Sequence, residues 1–160
     1  MRWGTVRTTV ATMIRAPSDR VMALYLDWER WPLLVPATIA GVRLERRDAT
    51  SMTVIVDHRR EGKVRNDVSI LSAGVVELRE EKPRYSATFV NRFDDVGEGT
   101  RYSIDAEVRM RWPWALLAPL LRPVVDRALQ RFTLAPVRRA AERRGDTMRR
   151  GGGVRGACCG

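Results

Sequence analysis

One histidine, His58, and two adjacent cysteines, Cys158 and Cys159, are the whole supply of imidazole and thiol in the 160 residues. That scarcity excludes a disulfide framework and any metal site built from spaced Cys and His ligands. Cys158 and Cys159 sit in a glycine-rich tail and receive no structural or catalytic role. No metal and no cofactor is expected. Lysine is nearly as scarce, since Lys63 and Lys82 leave the rest of the 29 basic residues to arginine, a bias that points to base composition more than to function. No glycine-rich phosphate loop opens a helix, and no repeat with a period of roughly 20–50 residues recurs. Behind Met1 there is no basic start followed by an apolar run of about 7–15 residues, so the reading is of a cytoplasmic protein without a secretory signal.

What is present is ordinary globular material, 44% hydrophobic and 30% charged, enough for one well-cored domain. The domain is expected over residues 5–144. The tail, 145–160, has little to bury and is expected to be disordered and basic. The net charge of +10 is partly a property of that tail.

Thr5 to Arg15 alternates with period two and reads as a first strand. Ala16 to Pro36 places Val21, Leu24, Tyr25 and Trp28 at helical spacing, with Ser18 as N-cap, Asp19 in the first turn and Trp31-Pro32 as the stop. Leu33 to Val35 could add a short second turn. Six further strands follow at about 40–47, 52–60, 64–71, 75–82, 84–93 and 100–111, separated by glycine, proline and aspartate turns. In the last of them Tyr102, Ile104, Ala106, Val108 and Met110 alternate with charged residues. Such a pattern belongs to an antiparallel sheet with one dry face.

From Trp112 to Arg144 the sequence becomes helical, with Leu121, Val124, Val125, Ala128, Leu129 and Phe132 on one apolar stripe. That stripe can be buried only against the sheet. Pro123 fits a first turn, whereas Pro136 predicts a kink or split near Phe132 to Pro136. The uncharged segment Trp112–Leu121 is ten residues long, about half of the roughly 20 that a membrane span requires. It is either a buried short helix or loop, or a lid that makes peripheral contact with a membrane.

The order strand, two short helices, six strands and long C-terminal helix resembles the START-like helix-grip superfamily (SRPBCC), which includes polyketide cyclase/dehydrase-like and coenzyme Q-binding proteins. The resemblance rests on Ile14-Arg15-Ala16-Pro17 before Val21, on Asp27-Trp28-Glu29-Arg30-Trp31-Pro32, and on Gly97-Glu98-Gly99-Thr100-Arg101 before the last strand. It implies an α+β fold in which a curved antiparallel sheet of about seven strands wraps the C-terminal helix. It also implies a deep apolar cavity between sheet and helix, used by different members for lipids, quinones, polyketides or hormones. A strongly curved sheet around one helix leaves such a space on geometric grounds as well.

Ligand-lining candidates are the dry strand faces and the helix stripe: His58, Tyr85, Phe89, Asn91, Tyr102 and Ile104, with Val108, Val125, Leu129 and Phe132. Asn91, on an otherwise apolar face, needs a hydrogen-bond partner that a ligand could supply. His58 is either a satisfied rim histidine or a ligand contact or base. Alternation sets Asp57 and Glu61 on the face opposite His58. No catalytic constellation is legible. The leading expectation is a binding or carrier protein for a hydrophobic small molecule. The rival is a polyketide cyclase or dehydratase in which Tyr85, Asn91, Tyr102 or His58 orients and protonates a substrate. A third reading is a module that engages a partner protein through Trp112–Leu121. Arg43, Arg46, Arg47, Arg59, Arg60 and Arg65 read as a solvated outer face, or as a surface for anionic lipid or an acidic headgroup. No aromatic-basic interleaving accompanies them, so no nucleic acid is expected.

Overall fold

The computed structural model describes residues 4–151, with side chains described through Arg143. Seven strands form one antiparallel sheet: β1 (Thr5–Ile14), β2 (Ile39–Arg47), β3 (Ser51–His58), β4 (Gly62–Ser72), β5 (Val75–Glu81), β6 (Tyr85–Asp95) and β7 (Thr100–Met110). Their spatial order is β1-β7-β6-β5-β4-β3-β2, so the chain runs as a meander from β2 to β7 and β1 closes against the last strand. Register shifts in β2 and at the β4–β5 hairpin bend the sheet. The alternation read in the last strand is the one observed, with Tyr102, Ile104, Ala106 and Val108 buried.

Between β1 and β2 lie α1 (Ser18–Leu26), a 3-10 turn (Trp28–Arg30) and α2 (Trp31–Leu34). Ser18 begins α1 rather than capping it. Its amide and hydroxyl donate to the Asp95 carboxylate at 3.2 and 2.8 Å, so the anion that suits a helix start comes from the β6–β7 hairpin. Pro32 opens α2 instead of stopping α1, in the first turn where its missing N–H costs nothing. Gly99 is required where the chain passes β1: a Cβ there would run into the Ile14 carbonyl oxygen.

The C-terminal helix has three parts: α3 (Ala118–Leu129), a π-helical turn (Gln130–Leu134) and α4 (Ala135–Gly151), preceded by a 3-10 turn at Trp114–Leu117. The irregularity expected near Pro136 is this π turn. Pro136 has no N–H to donate to the carbonyl of Phe132, and the wider turn absorbs the missing bond. It also adds a residue to the helical repeat. Leu129, Leu134, Val137 and Ala141 are therefore the buried stripe, the first two standing five positions apart. Phe132, expected on that stripe, is 38% exposed, and Val124 is exposed as well. The described helix reaches Gly151, so the domain boundary expected at 144 falls inside it; residues 152–160, including Cys158 and Cys159, lie outside the described residues.

One cluster joins the helix stripe to Val10 and Ile14 of β1, to Tyr25, Trp28 and Trp31, and to the inner faces of β3 to β7. A smaller one joins Val6, Ala87, Val108 and Ala118 under the start of α3. The Thr8 hydroxyl donates to Asp126, fixing α3 over β1. On the strands' outer side Arg43, Arg46 and Arg65 pair with Glu45, Asp48 and Asp67. Such exposed pairs contribute little individually.

Candidate functional site

Because α3 lies close over β1 and β7, the space left by the curved sheet opens over its other half. A cavity of about 570 Å³ is bounded there by β3 to β6, by the segment from Tyr25 to Ile39, and by the helix around Ala128 to Thr133. Trp28, Trp31, Val56, Leu78, Phe89 and Leu129 make its apolar walls.

At one end the lining changes character. His58, Glu61, Glu80, Lys82 and Tyr85 converge there from the end of β3, the β3–β4 turn, β5 and the residue just after it, and the start of β6. Lys82 and Glu80 stand 3.7 Å apart, each with only 10% of its side chain exposed. The Lys82 ammonium also pairs with Glu61, and it lies 5.1 Å from the centre of the Tyr85 ring. The Tyr85 hydroxyl donates to Glu80 Oε1 at 3.0 Å.

Each member titrates away from its ordinary range. Burial pushes the Glu80 carboxyl up, and the Lys82 charge only partly offsets it. For Lys82 burial opposes the charged form, but Glu80 and Glu61 outweigh it and hold the proton on more tightly than in a free lysine. Burial, reinforced by Glu80, raises Tyr85. His58 is lowered, by burial first and by the Lys82 charge second. Taking an ion pair out of water costs several kcal/mol unless its geometry is good, so perturbed groups gathered in a cleft mark a candidate site. Among the described residues no three His, Cys, Asp or Glu side chains are grouped to hold a metal ion.

Of the ten residues singled out from the sequence, His58, Tyr85, Phe89, Asn91, Leu129 and Phe132 line the cavity. The other four do not, because they lie where the helix is pressed against the sheet. Tyr102 is fully buried and stacks on Phe93 at 4.7 Å. Ile104 is in the main core, Val108 is in the smaller cluster, and Val125 packs against both. Asn91 needs no ligand to satisfy it. Its Nδ2 donates to the Tyr25 hydroxyl at 3.0 Å, and its Oδ1 accepts from the Tyr102 hydroxyl at 2.8 Å.

Glu61 corrects a second expectation. The turn after His58 breaks the alternation, and both residues face the cavity. Glu80 and Lys82 were not singled out, although a signal existed. Val76, Leu78, Glu80 and Lys82 share one face at period two, so two opposite charges prolong an apolar face, and one of them is a rare lysine.

No family model matches the chain, and no curated protein matches it in sequence. Solved structures do match its fold. The di-domain ARO/CYC protein StfQ from the steffimycin biosynthetic pathway superimposes with a TM-score of 0.76 at 16% identity, over 91% of this chain and 53% of that one. The chain thus spans about half the length of StfQ. The Zhui aromatase/cyclase from a Streptomyces species gives 0.73 at 17% identity, over 94% and 99% of the two chains. A START superfamily protein from Mycobacterium smegmatis gives 0.68 at 13%, over 87% and 97%. The chain shares the helix-grip fold of these structures.

Proposed function

We propose that this protein binds and carries one hydrophobic small molecule, a lipid, quinone or polyketide-like compound with an oxygen-bearing end. The observation that carries the reading is the cavity's two-part lining. Aromatic and aliphatic walls would take the body of the molecule, and the end formed by His58, Glu80, Lys82 and Tyr85 would meet its oxygen atoms. Most of the affinity would come from the apolar surface, with the polar end fixing orientation. Delipidated protein titrated with a hydroxylated polycyclic quinone tests this. Trp28 and Trp31 form part of the wall, so their fluorescence should be quenched to a stoichiometry of one. Saturable quenching supports the reading; its absence across lipids, quinones and polycyclic phenols counts against it.

A second reading, a cyclase or dehydratase acting on an aromatic or polyketide substrate, is favoured by the Glu80–Lys82–Tyr85 cluster and by the aromatase/cyclase named among the fold neighbours. A carboxyl held toward its protonated form can donate a proton while a neutral imidazole accepts one. In that case Glu80→Gln should lower turnover by roughly 10²–10⁴ while binding persists. Tyr102 has no part in either reading, since it is sealed in the core.

A further inference from the structure

The outer side of α3 and the turn before it expose Trp112, Trp114, Leu116, Leu117, Leu120 and Val124. Trp112 is 76% and Leu120 72% exposed, in a segment where large apolar groups outnumber polar ones. Contiguous apolar surface of this kind marks an interaction site in a folded protein. Leu117, Leu120, Val124 and Ala128 recur at three- and four-residue spacing and so share a stripe. Ala128, followed by Arg131 and Phe132, lines the cavity. The apolar stripe therefore leads from the tryptophan corner to the cavity rim.

Its charges are of one sign. Arg84 lies over the Trp114 ring at 4.9 Å, and Arg127 and Arg131 are exposed at the end of the stripe. Arg127 and Arg131 form no ion pair among the described residues, whereas Arg7, Arg65, Arg92 and Arg109 on the strands all do. The acid beside them, Asp126, is turned to Thr8.

We propose that this face docks on an anionic lipid bilayer, with Trp112, Trp114, Leu116 and Leu120 entering the headgroup region and Arg127 and Arg131 meeting lipid phosphates. Tryptophan suits that depth because its ring is apolar and its N–H is polar. A second copy of the chain fits less well. A two-fold interface would set the arginines of one patch against those of the other, with no carboxylate to match. The contact lies on the membrane rather than across it, as no described helix is long and apolar enough to span a bilayer. The docking stands independently of the ligand proposed above, and it places the cavity rim against a source of hydrophobic molecules.

Co-sedimentation of the full chain with vesicles of phosphatidylcholine, with and without phosphatidylglycerol, tests the proposal. Binding should require the anionic lipid and weaken as salt is added. Arg127→Gln with Arg131→Gln should reduce it by roughly 25-fold, at roughly fivefold per arginine. Trp112→Ser with Leu120→Ser should reduce it by about tenfold or more. In the wild type, tryptophan emission should shift to the blue on anionic vesicles, a readout that does not depend on any variant folding. Absence of both sedimentation and blue shift overturns the proposal. So does binding unchanged in both variants, or a dimer that Trp112→Ser with Leu120→Ser dissolves while vesicles are ignored.

Discussion

The Tyr102 hydroxyl donates to Asn91 Oδ1 at 2.8 Å, and Asn91 in turn reaches the Tyr25 hydroxyl, so three buried polar side chains tie α1 to β6 and β7 beneath the cavity. Asn91→Leu strands two tyrosine hydroxyls and should cost about 2–4 kcal/mol, whereas Tyr102→Phe should cost about 1–2 kcal/mol. Urea denaturation measures both. A stable Asn91→Leu protein that fails only in ligand binding would contradict a structural role.

The π turn predicts an inversion along the helix. Leu134→Ala opens a hole in the core and should cost about 2–5 kcal/mol. Phe132→Ala, at the cavity rim, should cost less than about 1 kcal/mol. Equal losses at the two positions would restore an unbroken α-helical register.

The sheet was legible because alternation over ten or so residues is a strong signal, as in β7. The helix was legible in length but not in phase, since one residue added at Gln130–Leu134 moves every later side chain. Of the cavity's apolar walls, Phe89 followed from strand alternation and Leu129 from the helix stripe. Trp28, Trp31 and Leu78 were not singled out, the first two because they come from the segment between β1 and β2, about which strand alternation is silent. The charged end did not follow either, because Glu61 enters from a turn and Lys82 lies just past the end of β5, where periodicity no longer fixes direction. Tyr102 and Ile104 were misplaced for a different reason. Strand alternation says which face a residue is on, not whether helix or empty space lies above it.

Removing one half of the buried pair should reveal its interdependence. Lys82→Met leaves Glu80 and Glu61 facing each other and should destabilise by about 2–3 kcal/mol, less than for a fully dry pair because the cavity admits water. Replacing Glu80 by Leu in that background should recover most of the loss. Thermal melts that show no recovery would contradict the coupling inferred from the 3.7 Å contact.

His58 gives the pH dependence a sign. Its folded pKa lies below the ordinary 6.5, through burial and then through Lys82, with Glu61 and Asp57 acting the other way. The folded state thus binds fewer protons than the unfolded chain just below pH 6.5, and stability falls as pH drops through that value toward the folded pKa. His58→Asn should flatten this limb of the melting-temperature profile. An unchanged slope between neutral pH and the carboxylate range would assign it elsewhere.

The proposed ligand is one hydrophobic molecule in the space between the sheet and the helix. Ala128 faces that space from the helix, and a tryptophan there would project its ring into the room a ligand needs. Native mass spectrometry of the wild type and Ala128→Trp, each incubated with the same hydroxylated polycyclic quinone, is the most direct test. One bound equivalent is expected in the wild type and far less in a folded Ala128→Trp. Equal uptake by both proteins, or uptake by neither, would contradict that placement.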